Sequence, residues 1–432
     1  MNENNTEQYD AAVLNFWCYS NYGAILTGYA LQKALEEMSC SNRLIWYMNE
    51  ANRNHYRECF ENSHFKNFAD KYIKYTPLYE HQTLAELNNH TKTFIVGSDQ
   101  VWRMPFLGIN RWAYYLNFAN DSAKKIACAA SFGFSEFIGS VEDETMARFW
   151  LKQFDAVSVR EYEARTLLGE NWGIESELLI DPVFYIDKSF YENMISGLSP
   201  DLPKEYILTY FLGKTDEDQK VIDAYAKEMN LPVVDVDPAV LSTEEWLYCI
   251  KHAKLLLTNS FHGVCFSLIF HRDFICLANE NKAYTRFSTI FDKLGLKDQA
   301  RPSNNYFENF TLNVPQIDYA KVDAVLEAER SKALEWLKKS VFSEKVKTTN
   351  ETDCVLRALS NALTRMQIAN RRQMGYMYDI VSLPKLERKL RKYRLKTLFS
   401  FGRKHREYKK IKRELKNKIR FIRRLIKQNQ RY

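Results

Sequence analysis

Short apolar runs alternate with longer segments of helical period along most of this chain. Ala12–Cys18 is largely apolar and aromatic, whereas Gly23–Met38 repeats its apolar residues at spacings of three and four. The first pattern predicts a strand and the second a helix. Because a helix between two strands carries the chain across a sheet, repeated alternation favours parallel sheets. The chain is therefore predicted to be an α/β protein.

The alternation falls into two series that meet near Asp181 and Pro182. A chain of 432 residues exceeds one hydrophobic core, so two doubly wound units are expected. The predicted strands are Ala12–Cys18, Thr93–Val96, Lys125–Ser131, Asp155–Val159 and Glu177–Ile180 in the first series, and Glu205–Phe211, Val233–Val236, Lys254–Thr258 and Phe274–Leu277 in the second. The predicted helices are Gly23–Met38, Val141–Phe154, Glu161–Glu170, Asp216–Met229, Thr243–His252, Gly263–Phe270 and Thr285–Leu294.

Four regions follow from this pattern. Residues 1–190 are predicted to form one Rossmann-like domain and residues 191–317 a second, with a crevice between them. Beyond Asp318 the strand-like runs stop and helical segments continue, including Leu356–Met374. Residues 318–383 are therefore a predicted helical extension, and residues 384–432 a basic amphipathic tail.

The tail differs in charge from the rest of the chain. Residues 385–432 hold 21 Lys or Arg against 3 Asp or Glu, leaving 40 of 61 basic and 51 of 54 acidic residues for the body. Such a basic helix with an apolar stripe either packs on protein, as in a coiled coil, or binds the anionic cytoplasmic leaflet. No recognised nucleic-acid-binding module is present, so nucleic acid is not an expected partner. The stripe comprises Ile411, Leu415, Ile419, Ile422 and Ile426.

The remaining composition excludes several classes of protein. The polar N-terminus lacks the apolar stretch of a signal peptide, and no apolar run of about 18 residues predicts a membrane span. A cytoplasmic location is expected, peripheral on the inner face of the plasma membrane if the tail binds lipid. Eight scattered cysteines without a CxxC pair predict reduced thiols and no metal site.

Polar side chains follow the ends of the first and second predicted strands. Asn21 and Gly23 lie where a strand meets a helix, and a glycine there permits close backbone approach, although one such glycine is often only conformational. Ser98, Asp99 and Gln100 follow Thr93–Val96, and they predict hydrogen bonds to sugar hydroxyls. Trp102 is expected to offer a face to a pyranose ring. The alternative is that Ser98 or Asp99 caps a helix.

A third strand end carries Arg160, whose planar guanidinium suits a carboxylate or phosphate in a bidentate arrangement. Glu161 and Glu163 follow directly, so the same arginine is equally suited to an internal ion pair. Arg286 lies after the last predicted strand of the second series, where its side chain can return to the same edge.

The segment Leu255–Val264 carries the most specific candidate. A hydrophobic strand ends in Ser260, and His262 and Gly263 then open an apolar helix. Amide N–H groups at a helix start favour an anion, while an imidazole titrates near neutrality and exchanges protons. His262 is therefore the predicted catalytic residue, and a satisfied structural histidine is the alternative.

Together these segments resemble the polysaccharide pyruvyl transferase family over most of residues 12–296. The resemblance rests on NYGAILTGYALQKAL, FIVGSDQVW, IACAASFG, SVRE, LIDPVF, TNSFHGVCFSLIF and Arg286-Phe287. It implies two Rossmann-like domains facing a cleft, as in GT-B glycosyltransferases, with phosphoenolpyruvate as co-substrate and no further cofactor. Family members transfer the three-carbon unit to sugar hydroxyls, commonly as a cyclic ketal.

The resemblance also implies roles for the candidate residues. Residues 1–190 are expected on the acceptor side, with Asn21, Gly23, Ser98, Asp99, Gln100 and Trp102 facing a saccharide that is lipid-linked if the tail binds membrane. Residues 191–317 are expected on the phosphoenolpyruvate side. Ser260, Gly263 and Arg286 of that domain, together with Arg160 from residues 1–190, are expected to bind the donor. A GT-B glycosyltransferase that uses a nucleotide sugar and a non-catalytic saccharide-binding scaffold are the alternative functions.

Overall fold

The computed structural model describes residues 7–48, 53–108, 110–278, 285–302 and 312–345, together with residues 412, 413 and 416. Residues 1–349 form one compact unit and residues 350–432 another. The predicted helix Leu356–Met374 and nearly all of the basic tail thus lie outside the described residues. The domain boundaries at residues 190 and 317 stay predictions.

Seven parallel strands form the first sheet, in the order β3-β2-β1-β4-β5-β6-β7. Every residue of β1 and β5 is buried, as expected of strands covered on both faces. The order reverses between β1 and β4, where Val13 pairs with Ile95. The strands are β1 (Ala11–Leu14), β2 (Asn42–Tyr47), β3 (Tyr75–Tyr79), β4 (Thr93–Val96), β5 (Lys124–Ala130), β6 (Ala156–Val159) and β7 (Glu177–Leu178).

The second sheet has five parallel strands in the order β12-β11-β10-β8-β9. Its central strand β10 is fully buried and pairs with β8 and β11, with Leu257 opposite Thr209 and Ile275. The strands are β8 (Ile207–Tyr210), β9 (Val233–Asp235), β10 (Leu255–Thr258), β11 (Phe274–Ala278) and β12 (Ala300–Pro302). Two parallel sheets with intervening helices confirm the predicted α/β class.

Helices connect these strands, and several begin at residues whose side chains cap them. Ser140, Thr215 and Ser242 each form a capping box with the acidic residue three positions later. The helices are α1 (Tyr22–Glu37), α2 (Arg53–Glu61), α3 (His64–Tyr72), α4 (Met104–Leu107), α5 (Val141–Leu151), α6 (Tyr162–Thr166), α7 (Lys188–Ile195), α8 (Asp216–Met229), α9 (Thr243–His252), α10 (Phe261–Ile269), α11 (Thr285–Leu294) and α12 (Tyr319–Phe342).

The last of these helices, α12, contacts both halves of the unit. It packs against α11, and at its far end the Lys124 ammonium at the start of β5 donates to the carbonyl of Val341 at 2.8 Å. Arg330 Nε donates to the carbonyl of Tyr185 at 3.0 Å. The helix therefore fastens the second sheet to the first.

Candidate active site

The carboxyl ends of the two sheets face each other, and polar residues follow the strands there. Ser98 comes after β4, Arg160 after β6 and Asp181 shortly after β7, while Ser260 and His262 follow β10. Ligands of doubly wound sheets bind outside this edge, at the point where strand order reverses. Contacts between α1 and α10 close the two sheets over it.

A buried carboxylate, Asp181, lies at the centre of this group. Its Oδ2 accepts hydrogen bonds from the Ser98 hydroxyl at 3.0 Å and from the Arg160 guanidinium. Its Oδ1 accepts from the backbone N–H of Val183 at 3.1 Å and from the Thr27 hydroxyl at 3.4 Å. Burial raises the pKa of this carboxyl, but Arg160 and His262 outweigh burial and hold it well below its usual range.

Arg160 is held by carboxylates of the protein itself. Besides Asp181, its guanidinium donates from Nη2 to Asp99 Oδ1 at 2.9 Å, and its Nε lies 3.5 Å from Glu161 Oε1. It stacks 4.5 Å from the centre of the Phe261 ring, and its side chain is 1% exposed. The internal ion pair prevails, so the direct donor contact predicted for Arg160 is not available in this arrangement.

The imidazole of His262 faces Thr27 on the opposite sheet's first helix. Nε2 lies 2.9 Å from Thr27 Oγ1 and 3.8 Å from Asp181 Oδ1. Because an ionised carboxylate only accepts, the Thr27 hydroxyl donates to Asp181, and its oxygen then accepts from Nε2–H. This leaves Nδ1 as the nitrogen that can exchange a proton.

Gly23 makes room for that imidazole. A Cβ added at Gly23 would lie 2.0 Å from Nδ1 of His262, so no larger residue fits beside the ring. Asn21, predicted to contact the acceptor, caps α1 through a hydrogen bond that its Oδ1 accepts from the backbone N–H of Ala24 at 3.0 Å.

Ser260 and Gly263 also form a helix cap. Ser260 Oγ accepts from the backbone N–H of Gly263 at 3.3 Å, which occupies one amide predicted to meet the donor. Gly263 is needed for close packing, because a Cβ there would lie 2.9 Å from Thr258 Oγ1 on β10. Both residues thus support the position of His262.

The residues after β4 divide between the site and the core. Ser98 is fully buried and Asp99 pairs with Arg160, while the Gln100 side-chain oxygen accepts from Arg103 Nη1 at 2.7 Å. Trp102 is fully buried and donates to the carbonyl of Tyr114 at 3.1 Å. It is therefore a core residue that offers no face to a sugar ring, contrary to its predicted role.

Arg286 lies near the start of α11 and is partly buried. Burial and the nearby charge of Arg160 lower its pKa to about 10, although Asp99 and Glu161 act in the opposite direction. A lowered arginine pKa means that the surroundings disfavour a further positive charge. An anion bound here would relieve that cost.

Sequence reasoning missed two residues of this group. Asp181 follows a strand at the same edge as Asp99, so the strand-end argument applied to Asp99 also identifies it. Thr27 gives no such signal, since it lies inside α1 among apolar residues and shows its role only through its contact with His262.

A family model described as polysaccharide pyruvyl transferase matches residues 21–281. The chain belongs to this family. The matched range contains His262, Arg160, Asp181 and Thr27, while Arg286 lies just beyond it. A comparison with curated protein sequences finds no match.

Solved structures similar to this pyruvyl transferase family member are remote in sequence. UDP-N-acetylglucosamine 2-epimerase from Rickettsia bellii is 10% identical with a TM-score of 0.40, covering 77% of this chain and 98% of its own. The UDP-GlcNAc 2-epimerase of Neisseria meningitidis, bound to UDP-GlcNAc, is 8% identical with a TM-score of 0.43, covering 83% and 99%. E. coli heptosyltransferase WaaC with ADP is 10% identical with a TM-score of 0.34, covering 74% and 99%.

Two kinds of feature are absent from the described residues of this family member. No group of three or more His, Cys, Asp or Glu among them is arranged to hold a metal ion. No helix in the described part of the chain is both long and apolar enough to cross a bilayer.

Proposed function

We propose that this protein transfers a pyruvyl group from phosphoenolpyruvate to saccharide hydroxyls, forming a ketal during exopolysaccharide, capsule or cell-wall glycan biosynthesis. The observation that carries the proposal is the pairing of His262 with Thr27 and Asp181 at an edge that also holds Arg160 and Arg286. Membership of the pyruvyl transferase family supplies the reaction class.

Anion recognition falls to Arg286 in this proposal. Phosphoenolpyruvate carries a carboxylate and a phosphate, and a guanidinium binds either in a bidentate manner. Arg160 acts without touching the donor, because its positive charge lowers the pKa of Arg286 and so raises the gain from binding an anion. The carboxylates around Arg160 fix it in place.

His262 moves the proton. In its protonated form it donates from Nδ1 to the enol methylene, which becomes a methyl group and leaves an oxocarbenium-like carbon. One sugar hydroxyl attacks that carbon and gives its proton back to Nδ1. Phosphate then leaves with its bonding electron pair, and the second hydroxyl closes the ketal while its proton passes to phosphate. Asp181 and Thr27 hold the imidazole by Nε2 throughout.

Incubating the full chain with phosphoenolpyruvate and a panel of bacterial oligosaccharides tests the reaction. The expected result is phosphate release together with an acceptor mass increased by one pyruvate ketal, and both lost in His262→Ala. The donor is tested separately: phosphoenolpyruvate should raise the melting temperature, and UDP and ADP should not. Stabilisation by a nucleoside diphosphate alone would favour the glycosyltransferase.

We further propose that the basic tail, residues 384–432, holds the enzyme at the anionic inner leaflet, near a lipid-linked acceptor. The support is its charge, 21 Lys or Arg against 3 Asp or Glu in residues 385–432. Clustered cations beside an apolar stripe suit an anionic membrane surface.

A further inference from the structure

A separate pocket opens beside the candidate active site. Its volume is about 250 Å³, and its walls come from the loop after β5 and from α6 with the turn that follows. Neither Arg160 nor His262 lines it. The roles proposed for His262 and Arg286 therefore do not account for this pocket.

The lining combines an exposed aromatic ring with hydrogen-bonding groups. Tyr162 is 41% exposed, and Leu167 adds a buried apolar surface. Ser135 and Asn171 contribute a hydroxyl and an amide. An aromatic face beside polar groups matches a pyranose ring, whose C–H face is apolar and whose edge carries hydroxyls.

Glu163 contributes a carboxylate, one oxygen of which lacks a hydrogen-bond donor. Its Oε2 is buried and has no hydrogen-bond partner among the residues described. Burial raises the pKa of this carboxyl. Glu163 as a whole is half-buried and lines the pocket, so its side chain is the acidic acceptor available to a ligand hydroxyl there.

The charge of the lining selects against the donor. Glu136 and Glu163 are both acidic, and the described lining includes no Lys, Arg or His. Two carboxylates repel phosphoenolpyruvate, whereas the strand edge that holds Arg160 and Arg286, here called the arginine edge, attracts it. A neutral, hydroxyl-rich ligand fits the pocket instead.

The pocket is joined to the arginine edge through its wall. The backbone N–H of Tyr162 donates to Thr289 Oγ1 at 3.1 Å, which ties α6 to α11, the helix that carries Arg286. Tyr162 is also only two residues from Arg160. A sugar in the pocket would thus lie on the side of the donor site formed by the first sheet.

We propose that this pocket is the acceptor subsite and binds a neutral sugar residue, with Tyr162 stacking on the ring and Glu163 accepting from its hydroxyls. The proposal rests on the proposed function for its choice of a saccharide ligand. Tyr162 thus takes the role of aromatic platform that was predicted for Trp102, which is buried.

Saturation-transfer difference NMR on the full chain tests it, with methyl β-D-galactopyranoside, methyl β-D-glucopyranoside and methyl N-acetyl-β-D-glucosaminide as probes. At least one neutral glycoside should bind, and N-acetylneuraminic acid, an anionic sugar, should bind more weakly. Tyr162→Ala should weaken glycoside binding about fivefold or more, whereas Tyr162→Phe should retain most of it because the ring remains.

Phe342→Ala is the matched control. Phe342 is a comparably exposed aromatic residue, 53% exposed, at the end of α12. There the carbonyl of Val341 meets Lys124 at the amino end of β5, whereas the pocket follows that strand's carboxyl end. Binding that is absent for all three glycosides, or lost equally in Tyr162→Ala and Phe342→Ala, would overturn the proposal.

The readout needs neither donor nor turnover, so it separates this proposal from the reaction. Tyr162-dependent glycoside binding in a chain that transfers no pyruvate would remove the proposed reaction and leave the subsite. Pyruvate transfer with unchanged acceptor KM in Tyr162→Ala would remove the subsite and leave the reaction. The melting temperatures of Tyr162→Ala, Tyr162→Phe and Phe342→Ala, with and without phosphoenolpyruvate, check that each variant is folded and whether it binds the donor.

Discussion

The Thr27 hydroxyl lies 2.9 Å from Nε2 of His262, and this contact joins α1 of the first sheet to α10 of the second. The same hydroxyl lies 3.4 Å from Oδ1 of Asp181. The contact of Nε2 with the Thr27 hydroxyl, and of that hydroxyl with Asp181, therefore fixes the orientation of the imidazole. The free nitrogen, Nδ1, is set beside Gly23 at the start of α1.

Replacing Thr27 by Val tests this chain of contacts. Valine has nearly the shape of threonine but cannot accept from Nε2, so the imidazole loses its orientation. We expect kcat of pyruvate transfer to fall about tenfold, as for the loss of one hydrogen bond of about 1.4 kcal/mol. Donor affinity should stay unchanged, because neither residue binds the donor.

Thr27→Ser is the matched variant, since it keeps the hydroxyl and should restore most of kcat. A Thr27→Ser enzyme as slow as Thr27→Val would show that the methyl group matters and the hydrogen bond does not. Steady-state kinetics that resolve kcat from KM decide between the two.

Gly23→Ala is expected to displace the imidazole. The new Cβ would lie 2.0 Å from Nδ1 and 2.3 Å from Cγ of His262, closer than atoms approach. We expect a loss of about 1–3 kcal/mol in the free energy of unfolding, as for other overpacked sites, measured by urea denaturation. In a helix free of such a neighbour, alanine would instead stabilise by about 1 kcal/mol.

A double-mutant cycle identifies the cause. In a His262→Ala background the ring is gone and only the contact with the Cβ of residue 262, at 2.7 Å, remains, so the penalty of Gly23→Ala should become clearly smaller. Gly169→Ala is the control, because a Cβ there meets nothing within 4 Å. An unchanged penalty in the His262→Ala background would contradict the assigned contact.

The alternation of the sequence predicted the α/β class and the bounds of α8, α9 and α11 as the structure has them. It did not predict β2, β3 or β12. Tyr75–Tyr79 contains Pro77, which weakens a strand pattern, and its position at the edge of the sheet is what makes the proline tolerable. Periodicity carries no information about such placement.

Sequence position correctly placed these residues at the ends of strands, but it did not predict the partner of each side chain. Arg160 follows a strand as predicted, yet its contacts with Asp181 and Asp99 come from residues 21 and 61 positions away. Trp102 also follows a strand, yet its side chain lies in the core. The chain turns there, and the backbone N–H of Trp102 donates to the carbonyl of Ser131. Such outcomes depend on tertiary packing, which local patterns do not encode.

The two arginines should respond differently to replacement by lysine. Arg286→Lys keeps a charge but loses the planar fork, so we expect phosphoenolpyruvate affinity to fall about tenfold by calorimetry. An unchanged phosphoenolpyruvate affinity in Arg286→Lys would contradict the role of Arg286.

Arg160→Lys should act mainly on folding. Lysine cannot reach Asp181 and Asp99 together, so one buried carboxylate loses its partner. A melting temperature lowered in Arg160→Lys but not in Arg286→Lys is the expected pattern. Equal melting temperatures with a selective loss of donor affinity in Arg160→Lys would restore its predicted direct contact.

The tail is tested by flotation with liposomes that contain anionic phosphatidylglycerol. The full chain should float with them at low salt and much less at high salt, because screening weakens attraction between surface charges. A chain ending at Leu383 should not float, and neutral phosphatidylcholine liposomes are the control. Equal flotation of both chains would remove the membrane role of the tail.

Asp181→Asn should reveal the buried ion pair as a pH-dependent loss of stability. The variant keeps the shape of the side chain but leaves Arg160 without one of its carboxylates, and breaking such a pair costs about 3–5 kcal/mol. The folded protein holds the pKa of Asp181 below its value of about 3.9 in an unfolded chain. The stabilisation is therefore complete above about pH 5, and it is lost as pH falls below about 4 toward the folded pKa.

Urea denaturation at about pH 7, 5 and 3 measures this loss. The difference in the free energy of unfolding between Asp181→Asn and the unmodified chain should be the same at about pH 7 and 5, and smaller at about pH 3. Asp201→Asn, in an exposed loop, should change little at any pH. A difference as large at pH 3 as at pH 7 would mean that Asp181 contributes through packing and that its charge is not what holds Arg160.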